Sequence, residues 1–205
     1  MNSIELLNNT ELRNFIYDDS NRKVLIGSRM VGKTTALCYN ILKNSISIPR
    51  DSVLITGYSA GVTAIKDTLM NLCNNFDISV QCTKMLGEHV YRINIEQSNV
   101  YIMAWNTFLT SYRHLRVRDI YIDEPNAITA SLDDILTEVD YRTLWANNNS
   151  KLIIAGSSSC GSNKLRDISS NITFSRHVAI GHITPELQLQ IRPESFRTEM
   201  LCEFI

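Results

Sequence analysis

The stretch Gly27-Ser28-Arg29-Met30-Val31-Gly32-Lys33-Thr34 satisfies the pattern G-x-x-x-x-G-K-[ST], and it constrains the chain more than any other feature. Such a loop needs a buried strand running into it and a helix leaving it, because that context turns backbone N–H groups inward around a phosphate chain. Both flanks are present. Val24-Leu25-Ile26 is a short apolar run that reads as a strand, and Thr35-Ala36-Leu37-Cys38-Tyr39-Asn40-Ile41-Leu42 has apolar residues at helical spacing. The glycines let the backbone close around a triphosphate, and the new helix offers its positive end to it. Lys33 is then expected to reach the β- and γ-phosphates and the Thr34 hydroxyl to ligate Mg²⁺, with Ser28, Met30, Val31 and Thr35 completing the nucleotide-binding set. Glycine is scarce, 8 of 205 residues, which makes a chance match to this pattern rare.

The elements after the loop extend the same theme. Pro49-Arg50-Asp51 breaks the loop helix, and Val53-Leu54-Ile55-Thr56 reads as a second core strand. Gly57 to Gly61 makes the connection, and Val62, Ile65, Leu69 and Leu72 recur at helical spacing toward Asn74-Asn75. Strand, helix, strand, helix predicts an α/β fold: a mainly parallel sheet with helices on both faces. Residues 78–104 change character. Ile78-Ser79-Val80, His89 to Ile95 and Val100 to Ala104 read as short strands with turns at Leu86-Gly87-Glu88 and Gln97-Ser98-Asn99, a small antiparallel insertion or sheet extension. Ahead of the loop, residues 4–17 are mildly amphipathic up to the turn cluster Asp18-Asp19-Ser20-Asn21. They carry no glutamine signature for adenine, so base preference is not legible there.

A second anchor lies about 90 residues beyond the loop, in Arg118-Asp119-Ile120-Tyr121-Ile122-Asp123-Glu124-Pro125. An apolar strand ending in Asp-Glu is the Walker B pattern. Asp123, at the strand's carboxyl end, is expected to hold Mg²⁺ through water, and Glu124 to polarise the water that attacks the γ-phosphate. Ligands of such sheets bind beyond the carboxyl ends of the strands, where both acids fall. Ser131-Leu132-Asp133-Asp134 then reads as a helix start, with Ile135, Leu136, Val139 and Leu144 on its buried side and the acids 133, 134, 138 and 140 on its solvated side. Lys151 to Gly156 reads as a further buried strand ending at Ser157-Ser158-Ser159. Those hydroxyls are placed either to sense a γ-phosphate or simply to make a polar turn. Residues 171–183 are expected to give a last strand or two, and Ser195 to Phe204 a terminal helix.

Bulk properties exclude several classes. The length is that of one domain, and 44% hydrophobic with 20% charged residues argues against disorder. A net charge of −1 gives no global attraction to nucleic acid or membrane, so any DNA contact has to come from a local patch. The five cysteines form no C-x-x-C pair, and the histidines His89, His114, His177 and His182 have no partner at metal-ligand spacing. Buried free thiols in a reducing compartment are expected. The N-terminus has neither a basic region nor a long apolar run, and no stretch approaches the roughly 20 apolar residues of a membrane span.

With both anchors placed, the sequence resembles the ATPase domain of a viral terminase large subunit, the motor that pumps DNA into preformed capsids. Four features carry the resemblance: the loop with its early arginine, Arg29; Ile120 to Glu124; the strand and small-residue turn Ile153 to Ser159, at the place of the family's coupling motif; and Phe196 to Phe204, similar to the segment that ends the family's ATPase domain. Ser157, Ser158 and Ser159 depart from the more usual small-Thr-Pro form of the third. The resemblance implies a P-loop NTPase of the RecA-like (ASCE) type, residues 1–205 forming one ATPase domain without a nuclease, and ATP with Mg²⁺ as cofactors. It further implies double-stranded DNA as a partner, a homo-oligomeric ring on a capsid portal, a small terminase subunit or a nuclease domain as further partners, and work in the host cytoplasm or nucleus. Family members also use an arginine shortly before Walker B that reaches the neighbouring subunit's nucleotide. Arg113 matches it best by distance from Glu124, Arg116 lies in the same basic turn, and His114 stands where glycine is common. Arg29 is the matching phosphate contact in cis.

Other readings share parts of this pattern. A helicase or another nucleic-acid ATPase has the same loop, Asp-Glu pair and following strand. A nucleotide kinase is disfavoured because Glu124 beside Asp123 suits water activation and no arginine-rich lid follows. A nucleotide-binding switch without catalysis is the fourth.

Overall fold

A computed structural model describes residues 9–28, 30–85, 89–143, 149–157 and 164–180. The described residues open on α1 (Thr10–Tyr17), whose first amides are capped by the Asn9 side chain, and enter β1 (Arg22–Gly27). The chain continues through α2 (Lys33–Ser47), β2 (Asp51–Thr56) and α3 (Ser59–Asn75) to β3 (Val80–Lys84), β4 (Tyr91–Ile95) and β5 (Ser98–Ala104). After α4 (Trp105–Thr110) come β6 (Asp119–Asp123), a 3-10 turn (Pro125–Ala127), α5 (Leu132–Thr143), β7 (Lys151–Gly156), α6 (Lys164–Ser170) and β8 (Ser175–Ala179).

The strands form one sheet in the order β3-β4-β5-β2-β6-β7-β1-β8. From β5 to β8 every pairing is parallel; β3 and β4 add to the β5 edge in antiparallel fashion. The expected antiparallel extension is therefore a continuation of the main sheet. Period-two alternation divides the parallel strands between two apolar layers. Leu25, Leu54, Tyr121 and Ile153 pack beneath α1, α2 and α3, whereas Val24, Ile26, Ile55, Ile122 and Ile154 pack beneath α4, α5 and α6. Helix spacing does the same work on the other side of each contact: Leu12, Phe15 and Ile16 form the buried stripe of α1.

Three boundaries differ from the sequence expectation, the first being the strand read at Ile78-Ser79-Val80, which runs over Val80–Lys84 instead. The helix expected from Val62 begins at Ser59, so the connection after β2 shrinks to Gly57 and Tyr58. Ser98 and Asn99 belong to β5, and the turn is made by Glu96 and Gln97, with Glu96 at φ 52°. Two short helices, α4 and α6, stand where none was read. The turn at Leu86-Gly87-Glu88 and everything after Ile180, including the expected terminal helix, lie outside the described residues. Among the described residues, no helix is long and apolar enough to cross a membrane.

Candidate active site

The phosphate-loop motif closes on itself between β1 and α2. A Cβ at Gly27 would lie 2.8 Å from Val31 Cγ1 and 2.8 Å from Lys33 Cγ and Cδ, so this position admits only glycine. Gly32 takes φ 98°, a left-handed backbone that suits glycine, and begins α2 with no side-chain cap. Met30 also sits at positive φ, 60°, with its side chain 96% exposed. The loop is strapped to its neighbour by the Ser28 amide, which donates to the Ala179 carbonyl at the end of β8 at 3.0 Å. Arg29 lies outside the described residues.

The acidic pair arrives on β6, three strand positions across the sheet from β8. The Thr34 hydroxyl donates to Asp123 Oδ2 at 3.0 Å, with Oδ1 at 3.3 Å. Lys33, 7% exposed, donates from Nζ to the Ser28 carbonyl at 3.0 Å and stands 3.7 Å from Glu124 Oε1. Burial, and next the charge of Glu124, push the Asp123 carboxyl up to about 7; Thr34 and Lys33 pull the other way. A hydroxyl and a buried carboxylate side by side form an oxygen donor pair suited to a hard divalent cation. Such a cation would relieve the repulsion that raises Asp123. The residues present therefore fit Mg²⁺.

Glu124 is held apart from that pair. Its backbone is left-handed, at φ 52° and ψ 64°, and its amide donates to the Ala155 carbonyl at 2.8 Å. The carboxylate accepts from the Ser157 amide at 2.9 Å and the Ser157 hydroxyl at 3.2 Å. Gly156 makes room for it: a Cβ there would stand 3.0 Å from Pro125 Cδ and 3.3 Å from Glu124 Oε2. Ser157, read in the sequence as a γ-phosphate sensor or a polar turn, gives both donors to Glu124; Ser158 and Ser159 lie outside the described residues. Asn126, which the sequence did not single out, ties the same corner together. Its Nδ2 donates to the Ser157 carbonyl at 3.0 Å and its Oδ1 accepts from the Leu165 amide at 3.3 Å. An asparagine two residues past the acid was its only signal.

The basic turn before β6 is elsewhere. The Arg118 amide donates to the Asp51 carbonyl at the start of β2, so this turn enters β6 from the amino end of the sheet. The Arg113 side chain is exposed and has no partner among the described residues. Arg116 lies over the Tyr141 ring, 4.3 Å from its centroid. Of the acids on α5, Glu138 is not simply solvated as expected: it pairs with Arg142.

No family model matches the sequence, and no curated protein matches it. Solved structures do. The large terminase of a thermophilic bacteriophage superposes with a TM-score of 0.75 at 8% identity, over 96% of this chain and 53% of that one. This chain thus spans about half the length of that protein, which has also been solved with ADP and with ATP-γ-S. The large terminase ATPase domain of Thermus phage P74-26 superposes at a TM-score of 0.69 and 13% identity, over 98% of this chain and 97% of that one. The Phi-28 gp11 DNA packaging motor superposes at 0.52 and 12% identity, over 94% and 68%. Across nearly its whole length, the chain has the fold of the phage large-terminase ATPase domains.

Proposed function

We propose that this chain is a Mg²⁺-dependent ATPase domain whose turnover drives double-stranded DNA into a capsid, as a homo-oligomeric ring on the portal. The observation that carries the reading is the convergence of Lys33, Thr34, Asp123 and Glu124 at the carboxyl ends of β1 and β6. The nucleotide complexes of the first of those terminases and the motor role in the name of the Phi-28 protein support it.

In this reading the amides of residues 27–35 and the Lys33 ammonium bind the phosphate oxygens, and Arg29 adds a contact in cis. Thr34 and Asp123 would hold Mg²⁺, which when bound neutralises charge on the phosphates. Glu124 orients a water toward the γ-phosphorus and takes its proton as the bond to the β-γ bridging oxygen breaks and ADP leaves. Ser157 fixes the attitude of that carboxylate, and with Ser158 and Ser159 it forms the coupling motif. Arg113, exposed at the amino end of the sheet, serves the site of a neighbouring subunit, where a guanidinium stabilises charge in the transition state. DNA is held by phosphate contacts without base preference, in the host compartment where capsids assemble.

ATPase turnover with and without duplex DNA, on the wild type and Glu124→Gln, tests the reading. A motor keeps ATP binding in Glu124→Gln and loses turnover, and the wild type is stimulated by duplex. Equal turnover in both proteins overturns it in favour of a switch or kinase, and stimulation by single strands alone in favour of a helicase.

A further inference from the structure

The largest fully buried side chain among the described residues is Arg142, 1% exposed, in the last turn of α5. A buried guanidinium is costly unless its donors all find acceptors. Nε donates to Glu138 one turn back in the helix. Nη1 donates to the Tyr112 carbonyl and, at 3.3 Å, to that of Leu115; Nη2 donates to the Phe108 carbonyl at 3.2 Å. The guanidinium also lies 4.4 Å from the Phe108 ring centroid.

The three carbonyls belong to the end of α4 and to the turn that carries Arg113. Carbonyls at a helix end lack partners within the helix, and Arg142 gathers them in one rigid fork. Arg116 repeats the attachment one residue away. Its Nη1 donates to the carbonyl of Arg113 at 3.1 Å and of Leu115 at 3.4 Å, while its guanidinium rests on Tyr141, the neighbour of Arg142. The backbone on both sides of Arg113 is thus fastened to the end of α5, and the Arg113 side chain is left exposed.

The other end of α5 begins eight residues after Glu124, on the segment that leaves its corner, and that segment is itself held. A Cβ at Gly57 would lie 2.4 Å from Ala127 Cβ, Lys164 donates to the Ile128 carbonyl, and Asn126 is held on both sides. Ser131 and Asp134 then cap the helix reciprocally. A helix of 12 residues, about 18 Å long, joins the two corners.

We propose that Arg142 is a positioning residue: it holds the 112–116 turn so that Arg113 is presented to a second copy of this chain, with α5 linking the Glu124 corner of one subunit to the arginine it lends the next. This rests on the reading of Arg113 as acting in trans. The experiment separates the two by mixing variants of the full chain, with duplex DNA present. Arg142→Lys keeps the charge and loses the fork, so turnover falls about tenfold to 100-fold while ATP affinity holds. Its own site is intact, so mixing it with Glu124→Gln, which has a dead site but a well-held Arg113, restores turnover; a protein merely damaged in its fold gains nothing from the mixture. Arg113→Ala mixed with Glu124→Gln is the reference pair. No recovery in that pair overturns the trans reading and the proposal with it. Recovery there, with none for Arg142→Lys or with wild-type turnover in Arg142→Lys alone, overturns the proposal only. Should Arg142→Lys not fold, Glu138→Gln takes its place: a smaller loss with the same recovery supports the clamp, and wild-type turnover overturns it.

Discussion

The Thr34 hydroxyl meets the Asp123 carboxylate at 3.0 Å, although 89 positions separate them in the chain. The contact joins the first turn of α2 to the end of β6, and it leaves Asp123 buried beside Glu124 with its carboxyl pushed up to about 7. In the unfolded chain that proton leaves near the ordinary value of 3.8. Between these values the folded state binds more protons, so the contribution of Asp123 is complete below about pH 4 and is lost as pH rises through about 7. Without divalent metal, the melting temperature of the wild type should therefore fall relative to Asp123→Asn between about pH 5 and about pH 8. Adding Mg²⁺ with a nucleotide analogue should restore the wild type alone. A difference that stays flat with pH would contradict a carboxyl raised by burial and by Glu124.

Two neighbours set the attitude of Glu124, and both can be altered without touching it. Ser157→Ala removes the hydroxyl donor and keeps the amide. A hydrogen bond to a charged group contributes about 1.5–3 kcal/mol, so kcat should fall roughly tenfold to 100-fold with KM for ATP held. Gly156→Ala places a methyl 3.3 Å from Oε2 and should act in the same direction. Steady-state kinetics decide it: a raised KM at constant kcat would mean that Ser157 serves binding instead of orientation.

Gly27 is fixed by contact with Lys33 and Val31, all at 2.8 Å from an added Cβ. Cγ of Lys33 is too near the backbone to swing aside cheaply, so Gly27→Ala has to open the loop. Overpacking of this kind costs about 1–3 kcal/mol, and nucleotide affinity should weaken by roughly tenfold to 100-fold. Calorimetric titration with ATP-γ-S measures it. Unchanged affinity would show that the bound loop differs from the one described.

The order of elements and the two-layer sheet were legible because their signals are local: Val24, Leu25 and Ile26 announce a strand, and the residues after Lys33 a helix. The helix Trp105–Thr110 was not, since six residues give too little of a helical period to stand out from the strand before it. Side-chain partnerships were less legible still. Ser157 looked like any polar turn because its partner Glu124 lies 33 positions earlier. Arg142 reads as one more charge on an amphipathic helix, and its carbonyl partners stand 27 to 34 positions upstream. Nothing in a helical period marks which charge is turned inward.

The same limit hid Lys23, which sits 1% exposed in β1, between Arg22 and the apolar run Val24-Leu25-Ile26. Its Nζ donates to the carbonyls of Phe15 at 2.7 Å and Asp18 at 2.6 Å and to Asn40 Oδ1 at 2.7 Å, and so fastens the end of α1 to the sheet. Lys23→Met fits the space but strands these acceptors, each at a cost of about 1–3 kcal/mol, so urea unfolding should show a large loss at neutral pH. Burial lowers the Lys23 ammonium to about 7 against the pull of Asp18, while the unfolded chain keeps its proton up to 10.5. Between those values the unfolded state binds more protons, so wild-type stability gains from this group as pH rises through the window. The gap between the wild type and Lys23→Met should accordingly widen from about pH 7 to about pH 9.5. A gap that narrows would mean that the three acceptors hold the ammonium charged against its burial.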